Sequence, residues 1–275
     1  DLDVLDRERG KWDRADLGLP PRGCLVCGRE GKACASRRLH TVEELQQATR
    51  AILRAHFAQT DGDRLAAQGA RALLYEVAAT PKPGLVDRAN NGSHRDMDFF
   101  TFLDSTAALL PYLRRAVSIG QETAALAPEE TFARLRRAGL GAERAMFAAT
   151  GGVNTHKGAI FSMGLACAGA GRLWKPEAPF AGAEAVLAEC ARLCREAVEA
   201  DLAAIDPKTA RTAGQRLYLE HGLRGVRGEA AEGFPAVARV ALPALRTALA
   251  EGADLEEAGC AALTALMAGT VDTNL

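Results

Sequence analysis

The chain has 275 residues, of which 48% are hydrophobic and 25% charged, with a net charge of −1. That length and apolarity suffice to bury a large core, which excludes fibrous and disordered classes, and no window approaches the roughly 18 apolar residues of a membrane span. The near-zero charge argues against a nucleic-acid surface; Arg134, Arg136, Arg137 and Arg144 read as a solvated helix face.

Aromatic residues are only 5%, and the apolar-periodic runs are built from Ala, Leu, Arg and Glu, the strongest helix formers. The expected fold class is all-α: a single multi-helix globular bundle of about nine helices, with functional loops at the helix ends and a short irregular N-terminal tail. Taken in chain order, the opening DLDVLDRERG is too acidic for a signal peptide. With no initiator Met and no helix stop signal at VDTNL, the chain reads as a fragment of something longer at both ends. Residues 1–40 are rich in Gly, Pro, Arg and Cys without apolar period. Within them Cys24, Cys27, Cys34 and His40 are three thiols and an imidazole, the donor set of a tetrahedral zinc site. The spacing after Cys27 matches no standard ribbon or finger, so free thiols in a compact tail answer the pattern as well. The remaining cysteines, Cys167, Cys190, Cys194 and Cys260, fall inside helical patterns, as reduced thiols of a cytoplasmic protein would.

A helix starts at Thr41, with Glu44 at the capping-box spacing. The periodicity then predicts helices near 42–58, 62–79, 98–118, 129–148, 156–171, 182–204, 208–220, 229–250 and 254–269. Between the second and third lies EVAATPKPGLVDRANNGSHRDMD, residues 76–98. Pro81 and Pro83 stiffen the backbone around Lys82, and Gly84 and Gly92 permit tight turns. Acids, amides, bases and an imidazole fill the rest, which suits phosphate and metal. Further on, TGGVNTHKGAIF puts Gly151 and Gly152 before Asn154, Thr155, His156, Lys157 and an apolar helix. Free N–H groups and the dipole make such a helix start an anion site, although Asn154 and Thr155 could equally serve as caps. The segment HGLRGVRGEAAEGFP carries Arg224, Arg227, Glu229 and Glu232, and GTVDTNL ends the chain with Asp272 and Asn274.

Together these segments supply carboxylates (Glu76, Asp87, Asp96, Asp98, Glu229, Asp272), cations (Lys82, Arg88, Arg95, Lys157, Arg227), histidines (His94, His156) and amides (Asn90, Asn91, Asn154, Asn274). The inventory suits a magnesium–polyphosphate substrate, with carboxylates on Mg²⁺ and cations and helix amides on phosphate. No G-x-S-x-G or HExxH pattern occurs.

With these residues assembled, the chain resembles the triphosphoribosyl-dephospho-CoA synthase family, which serves citrate lyase and, in a sister branch, malonate decarboxylase. The resemblance runs from about residue 60 onward on LLYEVAATPKPGLVDRANNGSHRDMDF, TGGVNTHKGAIF, RGVRGEAAEGFP and VDTNL, in family order. It implies an α-helical transferase that joins the triphosphoribosyl group of ATP to the 2′-hydroxyl of 3′-dephospho-CoA and releases adenine. Residues 12–40 resemble the end of the apo-citrate lyase phosphoribosyl-dephospho-CoA transferase, which in some organisms is fused to the synthase. The implied domains are therefore a transferase remnant over 1–40 and a synthase domain over 41–275, truncated at its C-terminus.

Displacement at ribose C1 needs a deprotonated hydroxyl, charge near an oxocarbenium-like centre and a bound triphosphate handle. On this reading Lys82, His94, Arg95, His156 and Lys157 meet phosphates. Gly84, Asn91, Ser93, Asn154, Thr155, Arg227 and Asn274 complete substrate binding. Asp87, Asp96 and Asp272 hold Mg²⁺ or orient ribose hydroxyls, and Glu76 or Glu229 is the general base. His94 and His156 stand with these two acids as catalytic candidates. The partners implied are ATP, dephospho-CoA, the fused or associated transferase module and, through it, the citrate lyase acyl-carrier subunit. Nucleic acid and membrane are not among them, and a homodimer is one option. Two rival readings use the same inventory: another all-α, Mg-dependent nucleotide phosphohydrolase or ADP-ribosyl hydrolase, and a non-catalytic nucleotide-binding module.

Overall fold

The computed structural model describes residues 5–8, 10–176, 178–210 and 212–270. The chain divides into two compact units, Asp1–Ala58 and Gln59–Leu275.

In the first unit, β1 (Leu5–Asp6) pairs antiparallel with β2 (Gly10–Lys11), Leu5 opposite Lys11. A 3₁₀ turn at Arg14–Leu17 and a short α1 (Gly31–Ser36) follow. The segment expected to be irregular thus has local structure, in elements too short to leave a periodic signal. The predicted capping box holds: Thr41 N donates to Glu44 Oε2 at 2.7 Å, and Glu44 N to Thr41 Oγ1 at 3.1 Å. It opens α2 (Val42–Ala78), one helix where the sequence suggested two, near 42–58 and 62–79. The gap expected near residues 59–61 is closed, and tertiary contacts hold the helix there. Asp61 Oδ2 accepts the Trp174 indole N–H at 3.0 Å, and Gly62 is buried close to Val117 and Gln121.

The second unit is all-α. After the end of α2 come α3 (Phe99–Glu122), α4 (Pro128–Ala149), α5 (Lys157–Leu173) and α6 (Ala183–Ala203). They are followed by α7 (Ala213–His221), α8 (Gly225–Ala231), α9 (Leu242–Ala250) and α10 (Leu255–Gly269). Helix α3 packs on α4 and α5, and α6 on α5 and α8, around Leu109, Leu113, Val117, Met146, Leu165 and Leu193. Small residues let α3 and α5 approach backbone to backbone: a Cβ on Gly171 would stand 2.3 Å from the Val117 carbonyl oxygen.

The helix expected over 229–250 is broken into α8, a π-helical turn at Val237–Ala241 and α9. Gly233 and Phe234 both take positive φ, and the buried Phe234 ring in the core holds that break in place. A buried ion pair ties four helices together. Arg172 Nε donates to Glu189 Oε1 at 2.7 Å, its other nitrogens reach the Thr123 and Leu126 carbonyls and Thr131, and Arg192 donates to Glu189 Oε2 at 2.9 Å. Beside it, burial pushes the thiols of Cys167 and Cys190 up to about 12 and that of Cys194 up to about 11. Among the described residues no helix is long and apolar enough to cross a membrane.

Candidate active site

The polar loop between α2 and α3 is a closed hydrogen-bonded structure built around Asp87, which is buried. Its Oδ2 accepts the Lys82 amide at 2.9 Å, and its Oδ1 accepts the amides of Ala89 at 2.8 Å and Asn90 at 2.9 Å. Burial alone would raise the Asp87 pKa, but the amides of Lys82, Asn90 and Ala89 and the charge of Lys82 outweigh it and hold the carboxyl below its ordinary value. Asn90 repeats the motif one turn on, its Oδ1 accepting the Gly92 amide at 2.8 Å. Gly92 has φ +56, and a Cβ there would lie 2.5 Å from the Gly84 carbonyl, so the two turns of the loop touch through glycine. Ser93 N closes the contact on Gly84 O at 3.1 Å.

This folding buries the Lys82 side chain, only 2% exposed, with its Nζ donating to Glu76 Oε1 at 2.7 Å; Glu76 itself is half exposed. The second polar segment lies against the same loop, since Val153 packs on the cluster of Val77, Val86 and Met97 that also takes in Phe99 and Phe102. From it His156 enters the interior at the start of α5. Its ring meets Phe102 edge-on at 5.0 Å and its Nδ1 stands 2.7 Å from Ser105 Oγ. Thr155 Oγ1 donates to Ser105 Oγ at 2.8 Å. Ser105 Oγ can donate to Nδ1 or accept from it as well as from Thr155, so the contact fits either neutral tautomer and leaves Nε2 as the ring's other polar atom. That Nε2 is buried and has no partner. Burial, and then the charge of Lys82, lower the His156 pKa to about 4, so the ring is neutral at physiological pH.

A buried polar nitrogen without a partner costs about 1–3 kcal/mol and calls for an explanation. Here it stands at the N-terminus of a 17-residue helix that has no side-chain cap, next to a buried ammonium. The charge of Lys82 is felt at His156, and a helix start with no side-chain cap lies beside it, features that suit the oxygens of an anionic group.

The other expected residues fall into three groups. Gly84, Asn91, Ser93, His94, Arg95 and Asp96 belong to the same loop; His94 Nδ1 lies 3.9 Å from Asp96 Oδ1, and Asn91, Arg95 and Asp96 are exposed. Asn154 is exposed beside His156, and Lys157 pairs with Glu143 of α4 at 3.2 Å. Arg227 and Glu229 make their contacts elsewhere: Arg227 with Asp201 of α6 at 3.3 Å, and Glu229 Oε2 with the Ala236 amide at 3.0 Å. Asp272 and Asn274 lie outside the described residues. Of the acids expected on magnesium, only Asp87 and Asp96 fall within the described residues. Asp87 spends both oxygens on the loop, Asp96 is exposed, and among the described residues no three carboxylates gather. Ser105 was not anticipated; its only signal was a Ser–Thr pair in the otherwise apolar face of α3.

The chain is thus an all-α protein in which a polar loop lies against the start of a helix. The comparisons narrow the class. The family described as ATP:dephospho-CoA triphosphoribosyl transferase matches residues 62–275, and the apo-citrate lyase phosphoribosyl-dephospho-CoA transferase family matches residues 1–56. The chain is 45% identical over 214 residues to a probable 2-(5″-triphosphoribosyl)-3′-dephosphocoenzyme-A synthase of Albidiferax ferrireducens, covering 78% of this chain and 70% of the relative. It is 40% identical to protein CitXG of Haemophilus influenzae and 38% identical to protein CitXG of Leuconostoc mesenteroides, over 85% and 89% of this chain. It spans 50% and 54% of those two proteins, about half their length. No solved structure matches. The chain belongs to the ATP:dephospho-CoA triphosphoribosyl transferase family, and the synthase-like part follows a segment of a second transferase family in one polypeptide.

Proposed function

We propose that the reaction of this family, transfer of the triphosphoribosyl group of ATP to 3′-dephospho-CoA with release of adenine, takes place where the 76–98 loop meets the start of α5. The observation that carries this is the buried, unpartnered Nε2 of His156 beside Lys82. Lys82, the His156 N–H and the first amides of α5 hold the triphosphate, which is a handle and not the leaving group. Arg95, exposed on the same loop, adds charge from the solvent side. If magnesium accompanies the nucleotide, Asp96 is the exposed loop carboxylate that would hold it, and the ion would offset phosphate charge. Asp87 serves to hold the loop.

Of the two candidate bases, Glu76 stands at this site, half exposed and within reach of an incoming hydroxyl, whereas the Glu229 carboxylate supports the turn at Ala236. Glu76 therefore takes the proton of the 2′-hydroxyl as it attacks ribose C1, and the C1–N9 bond breaks with its electron pair leaving on adenine, which takes up a proton as it is released. We further propose that residues 1–40 are the end of a transferase module, so that the whole protein makes the prosthetic-group precursor and passes it to the citrate lyase acyl-carrier subunit. The supply of ATP and dephospho-CoA places this work in the cytoplasm.

Incubation with Mg-ATP and dephospho-CoA, read by liquid chromatography and mass, is expected to yield free adenine and triphosphoribosyl-dephospho-CoA. Phosphate release without adenine would instead favour a hydrolase. Glu76→Gln should lower adenine formation by about 10²–10⁴-fold. If it leaves turnover intact while Glu229→Gln abolishes it, the base is Glu229.

A further inference from the structure

The residues up to 58 have almost no apolar interior: among those described, Cys34 alone is buried. Yet residues 22–40 fold into a defined turn, helix and turn. Gly23 bridges Glu30, Cys24 N donates to Arg29 O at 2.5 Å, and Gly28 N donates to Cys24 O at 2.8 Å. Gly28, directly after Cys27, takes φ +72. Next comes α1 carrying Cys34, then His40 just before the cap of α2. Three thiols and an imidazole brought together in so short a segment point to a disulfide or a metal.

The geometry decides between them. One ligand atom from each of Cys24, Cys27, Cys34 and His40 lies within 4.8 Å of all the others. Cys27 Sγ is 3.5 Å from Cys34 Sγ and 3.3 Å from His40 Nε2. A disulfide would set two sulfurs about 2.05 Å apart, whereas a tetrahedral zinc with bonds near 2.3 Å to sulfur and 2.0 Å to nitrogen sets its ligands about 3.8 Å (S–S) and about 3.5 Å (S–N) apart. The surroundings fit as well. Glu44 Oε2, fixed by the Thr41 amide, lies 3.9 Å from the far nitrogen of His40. A carboxylate on that side suits a histidine that ligates through Nε2. Cys24, Cys34 and His40 line a cleft of about 590 Å³, which gives an ion access.

We propose that Cys24, Cys27, Cys34 and His40 bind one structural zinc ion that holds residues 22–40 in shape. Three thiolates and a neutral imidazole fill the four positions, so the site is closed and keeps no water for catalysis.

The test uses the full 275-residue chain, purified with reductant and without chelator. Elemental analysis is expected to find about one zinc per chain, falling below about a tenth in Cys27→Ser and Cys34→Ser and unchanged in Cys190→Ala. Because a ligand variant could simply fail to fold, the wild-type chain stripped of metal is also titrated with Co²⁺. Intense visible bands and a sulfur-to-cobalt charge-transfer band that saturate at one equivalent are expected, with the visible bands altered in His40→Gln. Absence of those bands, zinc retained at full level in Cys27→Ser, or a Cys27–Cys34 disulfide in the chain as purified would overturn the proposal.

Discussion

His156 shows how one side chain can carry both a stability cost and a function. Its Nδ1 is fixed by Ser105 and its Nε2 is buried with no partner. In His156→Ala, adenine formation should fall by about 100-fold, the loss typical of removing one preorganised donor. The same residue sets an acid limit on stability. Its folded pKa, about 4, lies below the roughly 6.5 of an unfolded histidine, so between those values the unfolded chain takes up a proton that the folded chain refuses. The contribution is therefore complete above about pH 6.5 and declines as pH falls toward 4, by up to about 3 kcal/mol. Urea midpoints at pH 7.5 and pH 5 should show the decline, and His156→Gln should flatten it. Asp87, its pKa held below the ordinary carboxylate value, adds a loss only at still lower pH.

At the scale of the element, the 76–98 loop depends on backbone contact between its two turns. Gly92→Ala would push a methyl into the Gly84 carbonyl in a backbone conformation that alanine resists. Activity should therefore be lost with the far-ultraviolet circular dichroism nearly unchanged, because α2 and α3 have their own packing; a folded, active Gly92→Ala enzyme would contradict this picture. The loop was legible in the sequence because Pro81, Pro83, Gly84 and Gly92 punctuate a polar run between apolar periods. What Asp87 does was not, since a carboxylate on a metal and one buried under three amides look alike as letters. The same limit applied to the gap expected near residues 59–61, which lies inside a continuous helix where Trp174, 113 positions away, donates to Asp61. The break at Phe234 was missed for the converse reason, as only its burial in the core reveals it.

For the whole molecule, the all-α class followed from composition and period, whereas the joints between helices came from long-range pairs. The Arg172–Glu189 pair is the clearest case, with side chains 6% and 5% exposed. Glu189→Ala leaves the Arg172 charge buried and unpaired and should cost about 3–5 kcal/mol, read as a fall in the denaturant midpoint. A larger apolar pair at both positions should recover much of that stability, because the desolvation cost disappears with the charges.

The buried thiols of α5 and α6 bear on how such an enzyme ages. Peroxide and electrophiles attack the thiolate, and with thiol pKa values of about 11 to 12 only about one in 10⁴ to 10⁵ of Cys167, Cys190 and Cys194 is in that form at neutral pH. The interior of the synthase-like unit is thus chemically quiet despite three sulfurs. Oxidative inactivation would start at the part-exposed Cys260 on α10 or in the cysteine-rich segment before α2, and alkylation mapped by mass spectrometry would separate the two.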